Sequence, residues 1–384
     1  MLELIKEILS ELVSLPHRGS TTQKEREAAE IIERRLREFG YTTRVEPFLS
    51  PRTYSWEVIA FAMLVSGGLL LSLTRPAMGA ILSVLGLWSF VRHFDGRDTI
   101  LGKLIRKKTS QNIVGEPKNG DKQKIVYLMA HYDTTRASHL FHPLMVKNFR
   151  QSFLISATII FISPLVAFSG LWFGKIFIYK TVVWGMAIYV SVQILFLIHR
   201  ELFHKYVNGA NDNGSGVTAM LALAQYFSDH VLENTVVKIV ATGCEEVGLY
   251  GARTFVRRFG DDLASENTYV LNFDNVGKGD LYYCVGEGML GFHHYDSQLV
   301  TMAEYLSFGE FSDVKPLRYT LAQFDSLILT HENIKTITFI SLDDQKRIPN
   351  WHWYSDTIEN IEWSSIRKAV DFGIAMIQQI DRSG

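Results

Sequence analysis

The chain has 384 residues, with 39 basic against 40 acidic side chains and a formal net charge of −1. That length allows one large domain or two ordinary ones, and the near-zero charge excludes a global attraction to nucleic acid. Two cysteines, Cys244 and Cys284, exclude a disulfide scaffold and suit a reducing compartment.

The N-terminal stretch Met1–Glu7 is amphipathic and acidic, without the basic start and unbroken apolar run of a signal peptide. Residues 2–14 and 22–39 carry helical patterns. In the second, Thr21 or Thr22 is placed to cap, Ala28, Ala29, Ile31, Ile32 and Leu36 recur at helical spacing, and Gly40 supplies the stop. Residues 41–48 read as a strand. The composition then changes abruptly. Residues 58–73 and 77–91 are free of charge, and a second pair of apolar runs covers 153–173 and 176–198, where the only charge is Lys180. About 20 residues at 1.5 Å each cross a hydrocarbon core of roughly 30 Å. The sequence therefore predicts four spans in two hairpins, 55–93 and 151–200. The first two runs are short and lean on flanking residues such as Trp56 and Trp88.

Basic residues gather on the polar-domain side of these runs, among them Arg92, Arg97, Lys103, Arg106, Lys107, Lys108, Lys147, Arg150 and Arg200. The hairpin turns carry only Arg75, Lys175 and Lys180. By the positive-inside rule the polar domain is expected in the cytoplasm, on a multi-pass protein of the cell (inner) membrane. Paired spans return the chain to the same side, so 1–54, 94–150 and 201–384 are expected to form one catalytic domain. His139, His142, His199 and His204 flank the second hairpin and read as interfacial or solvated side chains.

With the hairpins set aside, strand-like runs at 111–115, 125–130, 236–241, 269–273, 281–285 and 336–340 alternate with helical patterns at 216–229, 248–259, 295–306 and 361–380. Several of the strands are almost wholly apolar, as expected where helices cover both faces of a sheet. The predicted fold class is α/β: a mixed, mostly parallel, twisted sheet between helices, plus four transmembrane helices.

Chemistry-bearing residues fall at the ends of these runs. Ile125–Ala130 is followed by His131-Tyr132-Asp133, which puts a histidine at the carboxyl edge of the sheet and an acid placed to accept its second N–H. Lys238–Gly243 leads to Cys244-Glu245-Glu246. Adjacent buried acids repel unless a cation relieves them, and metal-assisted hydrolysis needs one carboxylate as ligand and another as general base. Tyr269–Phe273 ends in Asp274, and His352 precedes the C-terminal helix. The turn Asn211-Asp212-Asn213-Gly214-Ser215-Gly216 holds a carboxylate among small residues before an apolar helix. This mix of nitrogen and hard oxygen donors suits Zn²⁺, or Mn²⁺ or Co²⁺, and not a thiolate site. Gly214-Ser215-Gly216 lacks the outer glycines of a serine-hydrolase elbow, and Cys244 reads as buried packing.

His131-Tyr132-Asp133, Asn211–Gly216, Glu245-Glu246, Phe273-Asp274 and His352…Asp356-Thr357, in this order, resemble the M28 family of co-catalytic zinc aminopeptidases. The resemblance covers about 20–50, 110–145 and 205–380 and leaves out the four apolar runs. It implies that His131 and Asp274 hold one zinc, Glu246 and His352 the other, and that Asp212 bridges them. It further implies Glu245 as general base, Asp133 as the orienter of His131, and Asp325 near the substrate. The activity it implies is removal of N-terminal residues from peptides. The second hairpin separates His131 from Asp212 in the chain, so the site is expected to open near the inner membrane surface, towards hydrophobic or membrane-associated peptides, with the lipid bilayer as partner and no nucleic acid. Two alternatives stand beside this one: a glutaminyl-cyclase-like enzyme with a single zinc, and a non-catalytic membrane scaffold on the same fold.

Overall fold

The first helix forms because Ile5, Ile8, Leu9 and Leu12 fall on one stripe and are all fully buried. Each such burial contributes about 1.5–3 kcal/mol, as an upper bound. In the second, the Thr22 hydroxyl accepts the Glu25 N–H at 3.3 Å, and the Glu25 carboxylate accepts the Thr21 N–H at 2.7 Å, a variant of the reciprocal cap. The computed structural model describes residues 1–118 and 122–383. In chain order its elements are α1 (Leu2–Val13), α2 (Gln23–Glu38), β1 (Tyr41–Ser50), α3 (Ser55–Ser72), α4 (Pro76–Phe94), α5 (Ile100–Leu104), β2 (Lys108–Pro117), β3 (Lys124–His131), α6 (Phe149–Phe173), α7 (Phe177–Phe203), α8 (Gly216–Asp229), β4 (Thr235–Thr242), α9 (Tyr250–Leu263), β5 (Thr268–Phe273), β6 (Asp280–Glu287), β7 (His293–His294), α10 (Ser297–Ser307), β8 (Lys315–Tyr319), α11 (Ser326–His331), β9 (Thr336–Leu342) and α12 (Trp363–Arg382).

They sort into two units. The first comprises 1–52, 107–135 and 206–384, and the second 53–106 and 136–205. The first unit is built on a nine-stranded sheet of order β1-β2-β4-β3-β5-β9-β6-β7, with β8 on β6. Its centre, β4-β3-β5-β9, is parallel, and β1-β2-β4 and β9-β6-β7 are antiparallel margins. Strands β5 and β9 are buried at every residue, because helices cover both faces. Strand β1 lies at the edge and exposes Val45 and Leu49. The mixed sheet between helices is the predicted fold class. The short strands β7 and β8 and the one-and-a-half-turn α11 escape sequence reading. In Lys315–Tyr319 only Tyr319 is fully buried, and Pro316 breaks the pattern.

In the second unit, α3, α4, α6 and α7 are long and apolar enough to cross a membrane. They expose large apolar side chains, among them Phe177, Leu165, Ile178 and Trp172. Polar groups turn inward. The Ser66 and Ser191 hydroxyls lie 3.0 Å apart, and those of Ser72 and Tyr179 lie 2.8 Å apart. A side chain on Gly79 would come within 2.4 Å of the Gly68 carbonyl oxygen, so α3 and α4 meet backbone to backbone. Pro164 lies inside α6 and cannot donate to Ile160. The Ser163 hydroxyl does so instead, at 2.8 Å.

Candidate metal centre

Strands β4, β3 and β5 lie side by side and parallel, so their carboxyl ends fall on one edge. His131 is the last residue of β3 and pairs with Thr242 of β4. Glu245 and Glu246 follow β4, Asp274 follows β5, and His352 sits in the loop after β9. Asp212 comes from the irregular turn before α8, with φ −105° and ψ 94°. Gly209 opens this turn at φ +74°, where a side chain would lie 2.4 Å from Thr134 Cγ2 and 2.5 Å from the Asp212 oxygen.

The carboxylate of Asp212 points its two oxygens at two groups of donors. Oδ1 lies 3.4 Å from His131 Nε2, which is 3.7 Å from Asp274 Oδ2. Oδ2 lies 3.1 Å from His352 Nε2, which is itself 3.1 Å from Glu246 Oε2. His131, Asp212 and Asp274 thus form one donor triplet, and Asp212, Glu246 and His352 a second. Both are the groupings that the family resemblance implies. His352 holds a left-handed backbone at φ +48°, and Cys244, just ahead of the Glu pair, one at φ +55°. Non-glycine residues tolerate that region only where the surroundings enforce it.

The electrostatics fit a cation pair. Asp212, Asp274 and Glu246 are buried around two imidazoles, and Glu245 beside them is largely so. Burial pushes the Glu245 carboxyl well above its usual range; the His131 imidazole opposes this, and Glu246 reinforces it. Burial likewise raises Glu246 and Asp274, against the pull of His352 and His131 respectively. Burial alone would lower His352, but Glu246 and Asp212 overcome it and hold the imidazole at about 9. Glu246 Oε1 is buried with no hydrogen-bond partner among the described residues. A carboxylate oxygen in that state has lost its hydration without replacement, and a metal ion is the partner that this donor set suits.

Asp133 departs from the expectation in one respect. Its Oδ1 lies 3.6 Å from His131 Nδ1, beyond hydrogen-bond distance. Instead Oδ1 accepts the Glu245 N–H at 2.9 Å, and Oδ2 accepts the Ser20 hydroxyl at 2.6 Å. Asp133 therefore fixes the backbone of the Glu pair at least as firmly as it orients the imidazole. Asp325 is fully buried at the head of α11 and accepts the Thr242 hydroxyl. Burial raises its carboxyl to about 7.

Two residues beyond the predicted set complete the centre. Asp356 accepts the N–H groups of Asn211 and Asp212 at 2.6 and 3.0 Å, which fixes the bridging turn. Arg18 is wholly buried and donates to the carbonyls of Tyr132, Asn208 and Gly209 at 2.7, 2.8 and 2.7 Å. It ties the segment after His131 to the segment before Asp212. Burial lowers its guanidinium to about 10, with Asp356 and Asp133 opposing, so it stays charged at neutral pH. The asparagines of the turn are anchors too. Asn213 donates to the Phe273 carbonyl at 2.9 Å and accepts from Gly216 and Asn275, while Asn211 accepts from Gly277.

This mixed sheet between helices is the α/β fold seen in solved aminopeptidase structures. The family model of Peptidase family M28 matches residues 191–377. The chain is 27% identical over 179 residues to aminopeptidase YwaD of Bacillus subtilis, covering 44% of this chain and 37% of that one. It is 41% identical over 71 residues to a vacuolar membrane protease of Kluyveromyces lactis, covering 18% and 7%. The matched stretches thus span well under half of these relatives. Among solved structures, the aminopeptidase from Aneurinibacillus sp. strain AM-1 superposes with a TM-score of 0.60 at 15% identity, over 100% of this chain and 95% of that one. A Bacteroides thetaiotaomicron glutaminyl cyclase bound to N-acetylhistamine gives 0.59 at 15%, over 100% and 98%. At such identity the likeness is one of fold.

Proposed function

We propose that the protein is a membrane-anchored, zinc-dependent aminopeptidase with two metal ions. The observation that carries this reading is the divergence of the two Asp212 oxygens towards separate His/carboxylate groups. His131 and Asp274 would hold one zinc, Glu246 and His352 the other, with Asp212 shared. When bound, the pair supplies Lewis-acid polarisation of the scissile carbonyl and activation of water. Glu245 is the general base. Its backbone is held by Asp133, its Oε2 lies 3.9 Å from His131 Nε2, and burial raises its proton affinity. A carboxylate so tuned takes a proton from the attacking water and returns it to the leaving amine. Asp133, Asp356 and Arg18 hold these groups in register and touch no reacting atom.

The four apolar helices cross the bilayer of the cell membrane in this reading, and the basic flanks put the first unit in the cytoplasm. The outward apolar and inward polar faces of those helices support it. Because the second hairpin lies in the chain between His131 and Asp212, we assign hydrophobic or membrane-associated peptides as substrates.

The test uses detergent-solubilised full-length protein and peptides with either a free or an acetylated N-terminus. Release of the first residue from free termini alone, abolished by chelation and restored by zinc, is expected. Cyclisation of an N-terminal glutamine with no hydrolysis would establish the cyclase reading instead, and inactivity of the zinc-loaded protein on both would overturn the enzymatic one.

A further inference from the structure

We infer that His139, His199 and His204 form a separate binding site for a divalent transition metal. Their positions in the sequence suggest interfacial or solvated side chains, and the second unit brings them together. His139 lies in a short 3-10 turn, His199 five residues from the end of α7 counting Phe203, and His204 directly after that helix. One ring nitrogen of each lies within 4.8 Å of the others. The ring centroids are 5.0 Å apart for 139 and 199, 4.6 Å for 139 and 204, and 5.4 Å for 199 and 204.

The convergence depends on where the helix stops. Residues five apart in a continuous helix point about 140° away from each other. His204 instead has extended backbone, φ −86° and ψ 140°, which turns its ring back beside His199. His199 Nδ1 is buried with no hydrogen-bond partner among the described residues. A buried ring nitrogen without a partner is costly, and a ligand that accepts its lone pair removes the cost.

The donor set defines the ligand class. Three imidazoles without carboxylate or thiolate suit Zn²⁺, Cu²⁺, Ni²⁺ or Co²⁺, and not the oxygen-seeking Ca²⁺ or Mg²⁺. Tetrahedral nitrogens about 2.0–2.1 Å from a metal lie roughly 3.3 Å apart, within reach of side-chain rotation from the observed cluster. Two guanidiniums stand close by, which disfavours added positive charge, but both face the same acid. Arg200 pairs with Glu201 at 2.6 Å, and Arg136 lies 3.7 Å from Glu201 and donates to the His204 carbonyl at 2.6 Å. Burial, with His139 and His199 beside it, lowers the proton affinity of the His204 imidazole, which leaves its lone pair for a metal. Such an ion would join the segment that enters α6 to the end of α7, closing the base of the second apolar hairpin.

The experiment takes full-length protein in detergent carrying Asp212→Asn and His352→Ala, which disables the centre described above. It is equilibrated with ZnCl₂, desalted and assayed for zinc by mass spectrometry. One equivalent per chain is expected, falling below about 0.2 when His199→Ala and His204→Ala are added. The single variant His139→Gln, in a half-buried turn, is expected to weaken zinc retention at least tenfold if the double variant does not fold. Cobalt loading of the parent should give visible absorption bands of a tetrahedral site. Absence of those bands, or zinc retention indifferent to all three histidines, overturns the proposal.

Discussion

Arg18 offers a sharp test, because its role comes from geometry alone. Its guanidinium makes three hydrogen bonds of 2.7–2.8 Å to main-chain carbonyls on both sides of the metal centre. A bond from a charged donor contributes about 1.5–3 kcal/mol. In Arg18→Lys the charge survives, but a compact ammonium on a flexible stem serves one of these carbonyls, not three in a fixed fork. Two buried acceptors then lose their donor, a cost of about 3–6 kcal/mol. In a unit of this size that corresponds to a fall of roughly 10 °C in melting temperature. Residues that position metal ligands from behind also typically change metal affinity by about 10–100-fold. Tryptophan fluorescence during thermal unfolding of the detergent-solubilised protein reads the first effect. Competition with a calibrated chelator reads the second. If Arg18→Lys melts within about 2 °C of the wild type and holds zinc equally well, the clamp is not what organises the centre.

Glu245→Gln should keep the wild-type zinc content and substrate KM while kcat falls by about 10²–10⁴; a parallel loss of metal would make Glu245 a ligand instead of a base. Asp356→Ala removes the acceptor of the Asn211 and Asp212 N–H groups, and zinc affinity should fall about 10–100-fold with Glu245 untouched. Burial raises the Glu287 carboxyl from 4.5 to about 8, its bonds to Tyr295 and Phe324 notwithstanding. Because the folded state holds this proton more tightly, the associated stability is complete below about pH 4.5 and lost as pH rises through about 8. Glu287→Gln should therefore flatten the decline in melting temperature across that window. An unchanged slope would remove Glu287 as its cause.

Much of the centre could be read from the chain because parallel strands deliver their last residues to one edge. His131, Glu245, Glu246 and Asp274 each end an apolar run, and that position alone brings them near one another. Asp212 and His352 lie on turns, and for them the resemblance to a known family supplied what periodicity could not. Arg18 was invisible for a physical reason. Its acceptors are carbonyls at 132, 208 and 209, and backbone groups leave no trace in residue identity. The actual partners of Asp133 were hidden likewise, since spacing suggests that an acid two residues away can reach an imidazole but not that an amide elsewhere holds it first. Helical spacing separates 199 from 204, so the sequence does not show that these histidines converge, and only the break after Phe203 brings their rings together.

The central claim is that one carboxylate serves two metal ions. The direct measurement is the zinc content of wild-type and Asp212→Asn protein, loaded and desalted identically and compared by difference, so that zinc bound elsewhere cancels. The account predicts a loss of two equivalents per chain together with all aminopeptidase activity. A loss of one equivalent or none would contradict it.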